Sequence, residues 1–255
     1  MAKIEVPLMD AAEFSSWLET HMSNADKIGN LYPPDKNDLY SLYLKMRKGK
    51  CIAVIEYGSG WSTLVLAQGI YENFQEDEGL VENYQTQVRH PNPFRVLTID
   101  ASQHFQGLAL ERLEPQLLEI VSPVVADVTY GTFLGRICTY FEYLPAFTAD
   151  FIYLDGPDCD QIQGNFHGFD LNFGTSQHKY GLPMAADILR FEHFLWSGTQ
   201  IIVDGRGANA SFLHANLVRN WSYNYNLDLD QHEFLLVEAP WGEIVKKHLD
   251  YKKNR

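Results

Sequence analysis

From residue 51 onward the chain alternates between two hydrophobic rhythms. Short apolar blocks at 51–56, 95–100, 123–128, 151–155 and 200–204 read as strands buried on both faces. Between them, apolar residues at three- and four-residue spacing predict helices over 61–74, 103–120, 135–144, 184–196 and 208–219. Two further strand-like runs follow, 222–229 and 232–238, joined by a tight turn over 228–231. Strands alternating with helices predict an α/β fold with a mostly parallel seven-stranded sheet, helices on both faces and a C-terminal antiparallel hairpin.

Two earlier stretches, 11–22 and 37–48, are also helical in pattern and are separated by Tyr32-Pro33-Pro34-Asp35. They predict an N-terminal helical appendage over 1–49, ahead of one domain over 50–255. Phe14, Trp17 and Leu18, then Leu39, Leu42, Tyr43 and Met46, recur at helical spacing. Such side chains either pack on the sheet and on each other or cover a substrate as a lid, and the pattern does not separate the two.

The 255 residues are 45% hydrophobic and 21% charged, an ordinary globular composition with enough chain for a substantial core. Lys plus Arg number 20 against 33 Asp plus Glu, a net charge of −13 that repels nucleic acid and anionic lipid. The three cysteines, Cys51, Cys138 and Cys159, are far apart and lack zinc-site spacing, which suits reduced thiols in the cytoplasm. No apolar run approaches the roughly 20 residues of a membrane span. The expected partner is a small molecule rather than nucleic acid or a membrane.

Acidic residues mark the strand ends: Glu56, Asp100, Asp155 and Asp204, with Asp127 one residue before the end of the third apolar block. In an open parallel sheet the carboxyl ends of the strands form the ligand crevice, so these acids converge there. Acids also cap helices, but five such positions exceed what caps require. The turn after the first strand reads Glu56-Tyr57-Gly58-Ser59-Gly60-Trp61-Ser62-Thr63 and leads straight into a helix. Two glycines permit a sharp turn and close approach to a ligand, while the helix start supplies free N–H donors. Thr63 stands where a dinucleotide fold has a third glycine, and no lysine follows as in a P-loop. An acid ahead of the glycines suits a ligand carrying positive charge.

Glu56-Tyr57-Gly58-Ser59-Gly60, continued by Trp61-Ser62-Thr63, resembles the first motif of the class I S-adenosylmethionine-dependent methyltransferases, in the Gly-Ser-Gly-x-Ser-Thr form of one branch. The resemblance extends over about residues 50–240 and implies a Rossmann-like sheet that binds S-adenosylmethionine. It implies that Gly58, Ser59, Gly60, Ser62 and Thr63 bind the cofactor, with the Gly58 to Gly60 loop wrapping its amino acid part. Glu56 would lie near its ammonium group, directly or through water, Asp100 would bind the ribose hydroxyls, and Asp127 would approach the adenine edge. Asp150-Phe151-Ile152-Tyr153-Leu154-Asp155-Gly156-Pro157 is similar to the family's segment beside the methyl donor, which brings Asp155 to the cofactor. Members that hold Mg²⁺ or another divalent cation use carboxylates at the ends of strands four and five, here Asp155 and Asp204. Gly205 replaces the second side-chain ligand of that pattern.

The glycine turn and Asp100 are separated by more than the roughly 20 residues of a compact unit. The surplus, 72–94, carries Glu76-Asp77-Glu78 and His90-Pro91-Asn92-Pro93 and reads as a solvated excursion. Methyl transfer to a hydroxyl needs an aligned acceptor and a base near the end of strand four. The long segment 158–183 offers His167 and His178 as first candidates for that base, with Asp155 next. Arg206 and Asn209 are candidates for orienting an acceptor, and Tyr57, Trp61 and Phe169 for walling one. Asp155-Gly156-Pro157-Asp158 stands where base-methylating relatives carry Asn-Pro-Pro-Tyr, which favours O-methylation of a small hydroxylated molecule. A ligand- or partner-binding protein without catalysis and a nicotinamide-dependent oxidoreductase are the alternatives on the same sheet.

Overall fold

The structure, a computed structural model, describes residues 6–22, 33–76, 88–170 and 184–254. A seven-stranded sheet holds β1 (Ala53–Tyr57), β2 (Arg95–Asp100), β3 (Val121–Val125), β6 (Phe151–Leu154), β8 (Gln200–Asp204), β9 (Trp221–Asn226) and β10 (Gln231–Leu236), in the order β3-β2-β1-β6-β8-β10-β9. The pairings from β3 through β8 are parallel, and β10 and β9 close the edge antiparallel. β1 and β6 are buried along their whole length, which is why they read as unbroken apolar blocks.

Helices cover both faces. On one lie α1 (Ala11–Thr20), α2 (Lys36–Lys48), α3 (Trp61–Glu76) and α8 (Glu243–Asn254), around Phe14, Leu18, Leu42, Tyr43, Met46 and Val245. The aromatic and aliphatic stripe of the N-terminal segments is therefore core. Asp10 starts α1 with a reciprocal capping box to Glu13, and Asp35 caps α2 through the Asn37 and Asp38 N–H groups. Arg47 pins α2 to α3 by ion pairs to Glu72 at 2.9 Å and Glu76 at 2.8 Å. On the opposite face α6 (Asp187–Phe191) and α7 (Gly207–Asn216) pack on Ile55, Ile152, Ile201 and Phe234. No helix of the described residues is long and apolar enough to cross a membrane.

Three sequence expectations give way. The predicted helix over 135–144 is a strand, β5 (Arg136–Phe141), paired with β4 (Val128–Phe133) and, beyond it, β7 (Ile162–Gln163) in a separate three-stranded sheet. Leu134 and Gly135 both have positive φ and form a two-residue hairpin turn between Phe133 and Arg136, which overrides the apolar spacing read as helical. The third strand ends at Val125 rather than 128, because the chain leaves the main sheet there to enter β4. The helix over 103–120 splits into α4 (Gln103–Glu111) and α5 (Pro115–Leu118), where Pro115 takes an N-terminal position in a new helix. Helix α8 had no counterpart in the sequence reading.

Candidate active site

The chain proceeds from β1 to β2 and β3 on one side, and later from β6 to β8 on the other. A crevice opens at that reversal, beyond the carboxyl ends of the strands. The turns after β1 and β6 meet in it. Gly58 has φ +90°, and a Cβ there would stand 2.8 Å from the Gly156 nitrogen; a Cβ on Gly156 would stand 2.8 Å from the Gly58 Cα. Neither position has room for a side chain. The bare backbones form one wall of a cavity of about 420 Å³, a volume suited to a small molecule.

Asp100, at the end of β2, is buried and lines the cavity. Its Oδ2 accepts from the Ser59 N–H and hydroxyl, both at 2.6 Å, and its Oδ1 accepts from the Ser102 N–H at 2.6 Å. Backbone and hydroxyl donors thus fix the carboxylate, and one lone pair, on Oδ1, is left for a ligand. Glu56 is placed differently from the expectation. It is fully buried beneath the glycine turn and is not part of the cavity lining. Ser62 Oγ donates to its Oε1 at 2.6 Å and Thr63 Oγ1 to its Oε2 at 2.8 Å, so Glu56 ties the first turn of α3 to β1. Burial raises its pKa to about 7 against the pull of those two hydroxyls. Ser59, Gly60 and Ser62 line the cavity; Thr63 lies behind them.

Asp155, directly after β6, is exposed and lines the cavity. Burial, then the charge of Asp204, pushes its pKa up to about 8, and Arg206 opposes the rise. Asp204, at the end of β8, accepts from the Tyr153 hydroxyl and is also raised, by burial first. The start of α2 and the residues leading into it supply a wall the sequence reading did not assign to the site: Pro33, Pro34, Asp35, Asp38 and Leu39. Asp38 is pushed up to about 6 by burial, then by Asp204 and Asp35. With Asp158, six carboxylates of the described residues line the cavity, against one cation among them, Arg112, whose guanidinium sits 4.3 Å over the Trp61 ring.

The other predicted residues lie elsewhere. Asp127 is exposed in the link between β3 and β4 and does not line the cavity, a consequence of the early end of β3. His167 is exposed, with its ring edge-on to Phe166 at 4.6 Å, and is outside the lining. His178 lies outside the described residues, as do 77–87 of the polar excursion and 171–183 of the long segment. Tyr57 is core, packed on Phe141 at 5.6 Å; Phe169 faces Tyr130. Arg206 is buried and donates to the Asp155 and Pro157 carbonyls at 3.3 and 2.6 Å, holding the turn after β6. Asn209 is buried and brackets Ala185, accepting from its N–H at 3.1 Å and donating to its carbonyl at 3.0 Å.

Asp38, Arg112 and Asp158 were missed. Asp38 sits in the first turn of a helix, where an acid needs no explanation beyond the helix dipole. A divalent cation does not fit the residues present. Asp155 and Asp204 line one cavity, but Asp204 is engaged by Tyr153, and the described residues contain no group of three His, Cys, Asp or Glu placed to hold a metal.

No protein family profile matches the chain, and no curated protein matches it either. Among solved structures the chain is similar to a methyltransferase from Geobacter sulfurreducens, with 16% identity over 91% of this chain and 99% of that one, at a TM-score of 0.49. It is similar to the O-methyltransferase TomG from Streptomyces achromogenes, involved in tomaymycin synthesis and solved with SAM: 15% identity, 92% of each chain, TM-score 0.44. An O-methyltransferase from Bacillus cereus in complex with SAH has 14% identity over 88% of this chain and 90% of that one, at a TM-score of 0.42.

Proposed function

We propose that this chain is an S-adenosylmethionine-dependent methyltransferase acting on a small hydroxylated molecule. The observation that carries the reading is the cavity lining: a backbone wall with no room for side chains, at the switch point of a parallel sheet, facing six carboxylates and a single arginine among the described residues. A ligand that is cationic at its reacting centre gains from that field, whereas a pyrophosphate would bring negative charge against Asp100, Asp155 and Asp158. The nicotinamide alternative is disfavoured on this ground.

When bound, S-adenosylmethionine supplies an electrophilic methyl group on a positively charged sulfur. The protein's part is then to bind, align and manage one proton. Asp100, oriented by Ser59 and Ser102, is the acceptor for ribose hydroxyls. Gly58 and Gly156 allow the ligand to approach backbone. Asp155 is the group to take the hydroxyl proton of the acceptor: it lies on the cavity wall, and a carboxylate whose pKa is about 8 stands close to working pH. A nearby positive charge favours its ionised form, so the base is readied as the site fills.

Titration of the purified protein with S-adenosylhomocysteine by calorimetry tests this reading, with NADH as control. Micromolar binding of S-adenosylhomocysteine, weakened about tenfold or more in Asp100→Ala, supports it; binding of NADH instead, or of neither, overturns it.

A further inference from the structure

The two edges of the main sheet are finished differently. At one edge β3 carries Pro123 opposite Thr98 of β2, and a proline offers no N–H to a further strand. At the other, β9 pairs only with β10 among the described residues, in a register without a bulge. It holds no proline and no charged residue, in a chain of net charge −13. The Val237 N–H donates to the Asn220 carbonyl at 2.9 Å. By the alternation of an antiparallel pair, Ser222, Asn224 and Asn226 then direct their backbone groups to β10, while Tyr223 and Tyr225 turn theirs outward. Such an edge is a template for another strand. Its side chains are apolar and already held in place: Tyr223 and Tyr225 are 42% and 41% exposed, and Leu227, next along the same face, 76%. The Tyr223 hydroxyl lies 2.8 Å from His232 Nδ1, and the Tyr225 hydroxyl donates to Asp230 at 2.7 Å.

The order of residues along this edge selects the strand that fits it. About Asn224, the run Trp221-Ser222-Tyr223-Asn224-Tyr225-Asn226-Leu227 reads alike in both directions by chemical type: apolar, polar, aromatic, polar, aromatic, polar, apolar. A second copy laid antiparallel about a two-fold axis through Asn224 therefore matches it at every position. One face sets Tyr223 against Tyr225 of the partner subunit and Trp221 against Leu227 of the partner subunit, pairs of the kind that stabilise neighbouring strands. The other face sets Ser222 against Asn226 of the partner subunit and Asn224 against its own copy. The same register joins the outward backbone groups of Tyr223 to those of Tyr225 of the partner subunit. No charge falls within the run, whereas a net charge of −13 elsewhere repels a second copy. We infer that β9 is a homodimer interface, through which two chains join their main sheets edge to edge. A six-residue edge is small beside the roughly 800 Å² that each partner buries in a stable complex, so the association is reversible and micromolar. No residue of β9 lines the cavity, and the inference does not depend on the methyl-transfer reading.

The test is sedimentation velocity on the full chain, from about 1 to about 100 µM, the range in which a small interface associates. The expected result is a monomer that converts to a dimer across this range, more readily as added salt screens the net charge. Asn224 is exposed, so substitutions there leave the monomer intact, as a thermal melt checks. Asn224→Lys sets two ammonium groups against each other at the axis and is expected to weaken the dimer about a hundredfold or more. Asn224→Cys, oxidised by air with copper phenanthroline, is expected to give a disulfide-linked dimer, while Cys51, Cys138 and Cys159 are buried and do not compete. A chain that stays monomeric over the whole range, or a dimer that persists in Asn224→Lys, overturns the inference. So does an Asn224→Cys chain that oxidation leaves unlinked, which decides the matter if Asn224→Lys fails to fold. Failure of S-adenosylhomocysteine to bind sinks only the methyl-transfer reading and leaves this result standing.

Discussion

Strand β6 has an aspartate immediately before it and another immediately after it, about 16 Å apart along the strand, and the two have opposite fates. Asp150 lies at the amino end, 2% exposed. It accepts from the Ile52 and Ala53 N–H groups at 3.0 and 2.9 Å and pairs with Lys252 of α8 at 2.6 Å, with His248 Nε2 3.8 Å away. Burial raises its pKa, but Lys252 and the backbone donors outweigh burial and hold it at about 2. Asp155, at the carboxyl end, has no such donors and is raised to about 8. The difference teaches that the same residue type in the same strand is a structural anchor where the fold supplies its partners, and a site residue where it leaves them to a ligand.

The largest effects separate the two aspartates. Asp150→Ala leaves the Ile52 and Ala53 N–H groups and Lys252 without their acceptor, and denaturant unfolding is expected to register a loss of about 3–5 kcal/mol. Asp155→Asn is expected to leave the fold in place and lower turnover by about 10²–10⁴-fold while S-adenosylhomocysteine still binds. A destabilised Asp155→Asn with normal turnover would break the contrast. Next in size is Gly58→Ala, which forces a Cβ against Gly156 at a φ of +90°. It should cost about 1–3 kcal/mol and abolish tight binding of S-adenosylhomocysteine; unaltered affinity would mean that the glycine wall is not part of the ligand site.

A smaller effect is the pH dependence of stability, which has opposite sign at the two ends. His90 and His248 are held down by burial, to about 4 and about 3. The unfolded chain protonates these groups first, so stability is lost as pH falls from about 6.5, the ordinary histidine value. Asp150 adds to that loss below about 4, as pH approaches its folded value of about 2. Facing His248 and His90 are Asp150, Lys252 and Trp196, and Lys252 opposes protonation of both rings. At the crevice, Glu56 and Asp155 are raised to about 7 and about 8, so the folded state keeps protons that the unfolded chain has lost. Their contribution falls as pH rises from about 4 to 8. Thermal melts across pH should therefore peak on the acid side of neutrality; Asp155→Asn should flatten the alkaline limb alone. The smallest effect is His167→Ala, which on an exposed loop is expected to change stability by less than about 0.5 kcal/mol and to leave turnover as it was. A loss above tenfold would return the proton-acceptor role to that loop.

The alternation of apolar blocks and helical spacing was enough for the sheet, because strands buried on both faces have to be continuous in apolar residues and a half-buried hairpin does not. Gly58 and Asp100 were readable for a related reason: a backbone turn without room for Cβ and an acid at a strand end are local features. What remained hidden depended on segments distant in sequence. Asp38 is a routine first-turn acid until the fold brings it to the same cavity as Asp204, and Arg112 is one surface arginine until it covers Trp61. Glu56 looked like a ligand contact and proved to be a buried tie to Ser62 and Thr63, since a motif names a residue but not the direction its side chain takes. The 135–144 run went wrong because two positive-φ residues, Leu134 and Gly135, outweighed its spacing. Sequence alone thus determined the architecture, the strand-end crevice and its acidic character, all of which follow from local pattern and composition. Tertiary structure alone decided which acids share one space, which of them receive donors and hence which are free to meet a ligand, because electrostatic environment depends on neighbours in space and not in the chain.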